Sequence, residues 1–176
     1  MDQIKIFDNF LSTRLYRRFC EIVESEDFPW YLSGPVAYED GTNSSCPEKY
    51  DYQFCHSLYE SPAKISNSFN IIDPILDKID IAVLLNAKIN CNPATDNIIE
   101  HGFHVDVPHD LAGKVSYTGV YYINSNNGYT IFKDGTKVHS KKNRLVIFPT
   151  TLNHTGSTCT DSKYRLVLNF NFIPRF

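Results

Sequence analysis

The chain has 176 residues, of which 42% are hydrophobic and 14% aromatic, a composition that is typical of a globular domain and excludes a disordered chain. Its formal net charge is −3 and its basic residues are not clustered, so a sequence-independent grip on a nucleic acid backbone is not favoured. The longest clean apolar run, Ile81 to Leu85, is far too short to cross a bilayer.

The five cysteines are scattered, odd in number and without C-x-x-C spacing. This pattern predicts reduced thiols rather than a disulfide framework. Lys5 and Asp8 interrupt the short apolar start, so we expect no signal peptide. The sequence therefore predicts a soluble, cytoplasmic protein in which residues 1–176 form one domain.

The first part of the chain has the pattern of helices and a loop. Ser12 can cap a helix that ends before Pro29, because the residue before a proline is pushed out of the α region. Residues 33–56 are rich in Gly, Ser, Asn and Asp, which predicts a long loop with at most one edge strand. A second helical stretch is expected at 62–79, with Pro74 at a kink or in a new first turn. The apolar residues of the first helix recur at helical spacing: Leu15, Phe19, Ile22 and Val23.

From Ile81 onwards the hydrophobic period changes to two, which indicates strands. Helices followed by many short strands predict an α+β, mainly β fold with a closed or sandwiched antiparallel sheet. In the first strand, one face is predicted to consist of Ile81, Val83, Leu85, Ala87, Ile89 and Cys91, and the other of Asn86, Lys88, Asn90 and Asn92. Further strands are expected at 115–124, 129–133, 136–139, 144–148 and 164–173.

The last predicted strand, Tyr164 to Phe172, has Leu or an aromatic residue at every even position. We expect this even face to pack under the N-terminal helices and the odd face, which carries Arg165, to point into the barrel. Burying Arg165 there without an anion would cost several kcal/mol, so it needs a charged partner. A ligand carboxylate would meet that need, and an acidic side chain of the protein is the alternative.

The segment His104-Val105-Asp106 places an imidazole and a carboxylate two residues apart, where an extended backbone points both to the same side. With His154 as a third ligand, the set is the facial triad of non-haem Fe(II), which leaves three coordination positions open. Zn²⁺ could occupy the same ligands but would leave Arg165 without a purpose. His101 and His109 flank the segment and are interpreted as solvated loop histidines.

In the order of its motifs, the chain resembles the 2-oxoglutarate and Fe(II)-dependent oxygenase superfamily, and within it the small prolyl-hydroxylase-like members, including those of bacteriophages. The resemblance covers about residues 81–173. Its elements are Ile89-Asn90-Cys91-Asn92-Pro93, Phe103-His104-Val105-Asp106, Val120-Tyr121-Tyr122-Ile123-Asn124, Gly128-Tyr129-Thr130, Arg144-Leu145-Val146-Ile147-Phe148-Pro149, His154 and Arg165-Leu166-Val167-Leu168-Asn169.

The resemblance implies a double-stranded β-helix (jelly-roll, cupin-like) core at 81–176, with residues 1–80 as a helical support and loop packed on one sheet. It also implies that Arg165 pairs with the distal carboxylate of 2-oxoglutarate. The Fe(II) ligands implied are His104, Asp106 and His154, and the further cosubstrate contacts are Asn169, Tyr122, Asn90 and Asn92. The chain departs from the family pattern at Asn92, where Tyr is frequent, and at Gly128-Tyr129, where Gly-Gly is frequent.

The activity implied is a dioxygenase reaction that consumes 2-oxoglutarate and O₂ and releases succinate and CO₂ while a peptidyl (prolyl-type) or small-molecule substrate is hydroxylated. Asp106 occupies the carboxylate position, which favours hydroxylation over halogenation. Two alternatives remain open: a nucleic-acid demethylase with the same chemistry, and a non-catalytic jelly-roll binding module. The sequence does not indicate an oligomeric state.

Overall fold

The computed structural model describes residues 4–36, 46–106 and 116–175, whose regular secondary structure is mainly β-strand with two short helices, Thr13–Val23 (α1) and Asp73–Leu76 (α2). Neither of these helices has the length and apolar character needed to cross a membrane. Single 3₁₀ turns span Glu48–Tyr50 and Phe69–Ile72. The strands are Lys5–Phe7 (β1), Tyr31–Ser33 (β2), Gln53–Glu60 (β3), Ala63–Lys64 (β4), Ile81–Pro93 (β5), Tyr117–Tyr122 (β6), Tyr129–Phe132 (β7), Lys137–His139 (β8), Arg144–Pro149 (β9), His154–Gly156 (β10) and Tyr164–Pro174 (β11).

The strands form two antiparallel sheets. The larger sheet has the order β1-β9-β6-β11-β5-β3-β2, with β4 paired to β3, and the smaller has the order β10-β7-β8. Strand β11 lies at the centre of the larger sheet, between β5 and β6. Arg165 on β11 is therefore opposite Asn92 on β5, and Asn169 is flanked by Lys88 and Val120.

One face of the larger sheet is covered by α1, α2 and the 3₁₀ turn before α2. Ser12 caps α1 by accepting a hydrogen bond from the Leu15 amide at 3.4 Å, and Phe19 packs edge-on against Tyr121 at 5.8 Å between ring centroids. The predicted even face of β11 lies here, which confirms that part of the sequence interpretation. The buried residues of this core include Phe19, Val23, Leu58, Ile72, Ile75, Ile89, Leu166, Leu168 and Phe170.

The other face of the larger sheet meets the smaller sheet, and the space between the two sheets is apolar at one end and polar at the other. The odd residues of β11 point into this space, as predicted. Because side chains alternate along a strand, β11 supplies both the helix-covered core and the interior between the sheets. The apolar end is formed by Val120, Tyr122, Phe132, Val138, Val146, Phe148 and Val167.

The helical stretch predicted at 62–79 is confirmed only over residues 69–76 and is wrong on either side of them. The chain forms β4, then the 3₁₀ turn and the single turn of α2, with Pro74 in the first turn as expected. The Ser66 hydroxyl accepts a hydrogen bond from the Ser68 amide at 3.0 Å and lies 2.7 Å from His56 Nε2. Serine side chains that bond to a nearby backbone in this way compete with helix formation, which explains the difference.

The predicted long loop at 33–56 is wrong in its last part, where β3 begins at Gln53 and lies between β2 and β5. Its buried positions include the polar residues Gln53 and His56 as well as Leu58, so the hydrophobic alternation of a strand is hidden. Residues 1–80 thus contribute β1 to β4 to the larger sheet, and their description as a helical support and loop is incomplete.

A β-bulge in β5 changes which residues face the core. Asn171 pairs with Asn86 but Phe172 pairs with Leu84, so Leu85 is the extra residue. Leu84 packs on the helix-covered core, Leu85 lines the space between the sheets, and Val83 is 42% exposed. The predicted apolar face is therefore correct from Ala87 onwards and wrong at Val83 and Leu85. A one-residue insertion reverses the facing of the residues beyond it, until a second irregularity between Ile173 and Pro174 restores the predicted facing at Ile81.

Candidate metal and cosubstrate site

The two histidines of the predicted metal site are neighbours across a single antiparallel bridge. His104 and His154 exchange two backbone hydrogen bonds of 3.0 Å, and their ring centroids are 4.8 Å apart. His154 is the first residue of β10. His104 forms only this bridge and Asp106 lies in a bend, so the extended segment expected for H-x-D is reduced to one paired residue. Phe148 packs edge-on against His154 at 4.6 Å and supports that ring.

Hydrogen bonds to backbone carbonyls fix the orientation of both imidazoles. His104 Nδ1 lies 3.1 Å from the Gly102 carbonyl oxygen, and His154 Nδ1 lies 2.9 Å from that of Leu152. A carbonyl only accepts, so each Nδ1 carries a proton, and Nε2 is the ring atom that is left to bind an ion. The two Nε2 atoms lie 3.4 and 3.7 Å from Asp106 Oδ1 and Oδ2. All three side chains thus present one donor atom to the same point, within 4.8 Å of one another.

Asp106 is held by two side chains that the sequence interpretation did not single out as functional. The Thr118 hydroxyl and the Asn171 amide donate to Asp106 Oδ2 at 2.7 and 3.1 Å, and the same amide lies 2.9 Å from the Thr118 hydroxyl. These partners are 12 and 65 residues away in the chain. No short spacing connects them to Asp106; the only signal in the sequence was the place of Asn171 on the odd face of the last strand.

The electrostatics of the three side chains favour an ionised carboxylate. Burial raises the pKa of Asp106, but its contacts with His104, His154 and the Thr118 hydroxyl outweigh this effect and hold the pKa well below its usual range. For His154 burial dominates and lowers the pKa, which keeps the imidazole neutral. An anionic carboxylate beside a neutral imidazole is the protonation state that a divalent cation requires of its ligands.

Arg165 is buried, with only 3% of its surface exposed, and has no acidic partner within salt-bridge distance among residues 4–36, 46–106 and 116–175. Its Nε donates to the Ser140 hydroxyl at 2.8 Å, its Nη2 donates to the Thr130 hydroxyl at 3.3 Å, and its guanidinium carbon lies 5.6 Å from the centre of the Tyr122 ring. Burial lowers the pKa of Arg165, a sign that the charge is poorly solvated. Two neutral hydroxyls orient the guanidinium and do not neutralise it.

Two glycines make room for the Arg165 side chain. A Cβ at Gly128 would lie 2.8 Å from Arg165 Cδ, and a Cβ at Gly156 would lie 3.3 Å from Nη1. Because real Cβ atoms essentially never come closer than 3.0 Å to another heavy atom, Gly128 cannot be replaced without moving its neighbours. Where the family pattern frequently has Gly-Gly, this chain has Gly128-Tyr129, and it thus keeps the glycine that leaves room for Arg165.

A cavity of about 500 Å³ joins the three metal-ligand candidates to Arg165. Asn90, Asn92 and Asn169 also line it. The Oδ1 atoms of Asn90 and Asn169 are buried without a hydrogen-bond partner, whereas Asn92 donates to Gln53 Oε1 at 3.3 Å. The cavity thus holds unused hydrogen-bonding groups, which is unfavourable unless a polar ligand pairs with them.

Tyr122 does not line this cavity. It is fully buried, and its hydroxyl donates to the Thr130 hydroxyl, which also accepts from Arg165. Tyr122 therefore helps to orient the Arg165 guanidinium through the hydroxyl that they share. A direct contact between Tyr122 and a cosubstrate stays a prediction.

His101 is not the solvated loop residue that the sequence predicted. It is 2% exposed, it lines the cavity, and its amide donates to the Gly156 carbonyl at 3.1 Å, which fixes this stretch of chain to β10. Burial lowers the pKa of His101 to about 4. The isolated position of His101 three residues before a ligand gave no sign of this burial. His109 lies outside the described residues.

Comparison with known proteins gives a fold. No family model matches the sequence, and no curated protein matches it. A viral collagen prolyl hydroxylase from Paramecium bursaria Chlorella virus 1, solved as its 2-oxoglutarate complex, superposes with a TM-score of 0.61 over 99% of this chain and 97% of that one, at 14% identity. The chain has the prolyl-hydroxylase fold.

Two further structures agree with this assignment. A prolyl hydroxylase from Trichoplax adhaerens, in complex with a peptide fragment of the hypoxia inducible factor oxygen degradation domain, has a TM-score of 0.61 over 99% of this chain and 84% of that one, at 11% identity. A 2OG-Fe(II) oxygenase family member from Burkholderia pseudomallei has the same TM-score over 97% and 85%, also at 11% identity. The resemblance predicted from the motifs is thereby confirmed at the level of the fold.

Proposed function

We propose that this protein is a 2-oxoglutarate- and Fe(II)-dependent dioxygenase that hydroxylates a peptidyl substrate, and that its two sheets form the double-stranded β-helix of that class within a single domain, residues 1–176. The observation that carries the proposal is the buried Arg165, which lacks an acidic partner in the described chain and shares one cavity with His104, Asp106 and His154. A structural ion pair would have explained the arginine without a ligand, and none is present there.

The donor set fits Fe(II). The Nε2 atoms of two imidazoles and one ionised carboxylate would occupy one side of the ion, and the cavity would lie on the other; the ion would displace the proton that the contact with Asp106 favours on His104. Thr118 and Asn171 would hold the Asp106 carboxylate so that its second oxygen can bind the ion. Such outer hydrogen bonds orient ligands and raise metal affinity. Zn²⁺ alone would use the same donors and leave the charge of Arg165 unexplained.

The cosubstrate fits the rest of the cavity. The planar guanidinium of Arg165, aimed by the Ser140 and Thr130 hydroxyls, suits the distal carboxylate of 2-oxoglutarate, which would neutralise the buried charge. Asn90 and Asn169 line the same cavity, and their amide NH₂ groups would donate to the oxygens of the same molecule. When bound, iron, 2-oxoglutarate and O₂ supply the oxidation, which yields succinate, CO₂ and a hydroxylated product; the chain binds, orients and excludes bulk water.

The substrate side of the proposal rests on the surface next to the metal ligands. A shallow depression of about 320 Å³ adjoins the cavity and shares with it His104 and Asp106, as well as Val36, Gln53 and Lys88. A peptide lying there would bring one side chain beside the proposed ion. That the Trichoplax adhaerens structure contains a bound peptide supports a peptide as the substrate class, with a small molecule as the alternative.

The proposal is tested by measuring succinate release from 2-oxoglutarate under air with Fe(II), in the presence of proline-containing peptides. We expect Asp106→Ala to abolish succinate formation, because it removes a metal ligand. Asp134→Ala, which changes an exposed turn, is the matched control and should retain the activity. Succinate formation that survives in Asp106→Ala would contradict the proposal.

Two further outcomes separate the remaining alternatives. A non-catalytic binding module predicts no succinate and no loss of bound metal in Asp106→Ala. A nucleic-acid demethylase predicts that methylated single-stranded DNA or RNA, rather than a peptide, stimulates succinate release at physiological salt.

A further inference from the structure

A second cluster of potential metal ligands shares no residue with the first, and one of its members, His101, lines the same cavity. One ligand atom each from Cys46, Asp51 and His101 lie within 4.8 Å of one another. We propose that these three residues form a second metal site, which takes Zn²⁺.

His101 provides the strongest support. Its side chain is buried, and neither ring nitrogen has a hydrogen-bond partner. Buried polar atoms are satisfied in the great majority of cases, so two unsatisfied nitrogens on one ring call for a ligand. Burial also lowers the pKa of His101 to about 4, so the ring is neutral at pH 7 and has a lone pair to donate. An ion bound through one nitrogen would satisfy the ring in the way that a hydrogen bond does elsewhere.

Asp51 and Cys46 complete the set from the segment before β3. Asp51 Oδ1 accepts a hydrogen bond from the Val36 amide at 2.9 Å, which orients the carboxylate. Cys46 is buried, with 7% of its surface exposed, and burial followed by the charge of Asp51 raises the pKa of its thiol to about 11. A divalent cation would displace this proton, so the site would bind metal more tightly as the pH rises.

The ligand types select the metal. A thiolate with an imidazole and a carboxylate suits Zn²⁺, which takes nitrogen, sulfur and oxygen ligands in tetrahedral geometry. Tetrahedral ligands at the usual bond lengths are about 3.5 Å apart, so donor atoms that lie within 4.8 Å of one another need to approach by about 1 Å at most. The three protein ligands leave the fourth position for water. The first site has no sulfur ligand, and this difference makes the two sites distinguishable.

The position of the proposed ion gives it a structural role. The Glu48–Tyr50 turn separates Cys46 from β3. His101 lies three residues before His104, and its backbone amide donates a hydrogen bond to the Gly156 carbonyl on β10. An ion between them would clip the segment before β3 to the stretch that carries the first metal ligand. It would thus fix one wall of the cavity.

The experiment uses Co²⁺ as a spectroscopic substitute for Zn²⁺, in full-length protein that carries Asp106→Ala to weaken the first site. We expect one Co²⁺ per chain and a near-ultraviolet sulfur-to-cobalt charge-transfer band, which a site without cysteine cannot give. Addition of one equivalent of Zn²⁺ should remove the band, because d¹⁰ Zn²⁺, unlike Co²⁺, loses no ligand-field stabilisation in a tetrahedral site with a thiolate ligand.

Variants in the same background assign the ligands. Cys46→Ser should remove the band, and His101→Gln should weaken Co²⁺ binding at least tenfold. Cys55→Ser, on the neighbouring strand β3, is the matched control and should keep both the band and the affinity. Far-ultraviolet circular dichroism identifies any variant that does not fold. If Cys46→Ser does not fold, the Co²⁺ affinity of His101→Gln decides the test. No band in the parent, or a band that survives Cys46→Ser, would overturn the proposal.

Discussion

Replacing Arg165 with methionine is expected to weaken the binding of 2-oxoglutarate at least about 30-fold while leaving the folded protein at least as stable. Methionine fills a similar elongated space and carries no charge. In the absence of ligand, the guanidinium is buried with two neutral hydroxyl partners and no anion in the described chain, so its removal relieves an unfavourable burial. The same charge is the feature that we propose attracts the distal carboxylate of the cosubstrate.

The magnitudes follow from the burial of Arg165. Losing one partner of a buried, hydrogen-bonded charge pair costs about 2–5 kcal/mol. That corresponds to a dissociation constant for 2-oxoglutarate that rises roughly 30-fold to several thousand-fold. Replacing buried charges by apolar groups of similar volume is often neutral or stabilising by about 1–4 kcal/mol, which sets the expectation for the ligand-free protein.

The assay is urea unfolding with Mn²⁺ in place of Fe²⁺, with and without 2-oxoglutarate at about 100 times the wild-type dissociation constant. The wild type should gain about 2.7 kcal/mol in its free energy of unfolding, and Arg165→Met should gain less than about 1 kcal/mol. Arg175→Met is the control, because Arg175 is 70% exposed and pairs with Asp80 near the end of β11. An equal gain from 2-oxoglutarate in Arg165→Met and the wild type would refute the reasoning.

Three other changes test the structure independently. Thr118→Val removes a hydrogen bond to Asp106 and should weaken metal binding about 10- to 100-fold in a titration with Fe²⁺ or Mn²⁺, and unchanged affinity would argue against this supporting role. Gly119→Ala places a Cβ 2.2 Å from the Phe170 ring and should lower the free energy of unfolding by about 1–3 kcal/mol, which equal urea midpoints would contradict. Burial lowers the pKa of His101 in the folded state from 6.5 to about 4, so between these pH values only the unfolded chain binds this proton. The free energy of unfolding of the metal-free protein should therefore fall by up to about 3 kcal/mol as the pH decreases across that range. His101→Gln should show a weaker dependence of this free energy on pH.

The metal-ligand candidates could be found from the sequence because their chemistry is local. His104 and Asp106 are two residues apart, a spacing that any extended backbone converts into a shared direction. Arg165 could be placed in the interior because it lies on the odd face of a strand whose even face is wholly apolar. The structure brings all four side chains to one cavity, and whether they bind iron and 2-oxoglutarate stays a prediction.

The supporting residues could not be found in this way. Thr118 and Asn171 meet Asp106 only because β6 and β11 are neighbours in the larger sheet. The burial of His101 depends on the hydrogen bond from its backbone amide to Gly156, which holds it against β10. These contacts join residues that are distant in the chain, and strand pairing, rather than any spacing in the sequence, brings them together.

What the sequence determined by itself is the class of fold and the chemical type of the candidate site, since hydrophobic period and ligand type are properties of short segments. What only the tertiary structure decided is the position of β3 inside the larger sheet, the bulge that exchanges Leu84 and Leu85, and the burial of His101 beside Cys46 and Asp51. The physical reason is that polar residues in the interior hide the local period. The partners that make their burial favourable come from elsewhere in the chain.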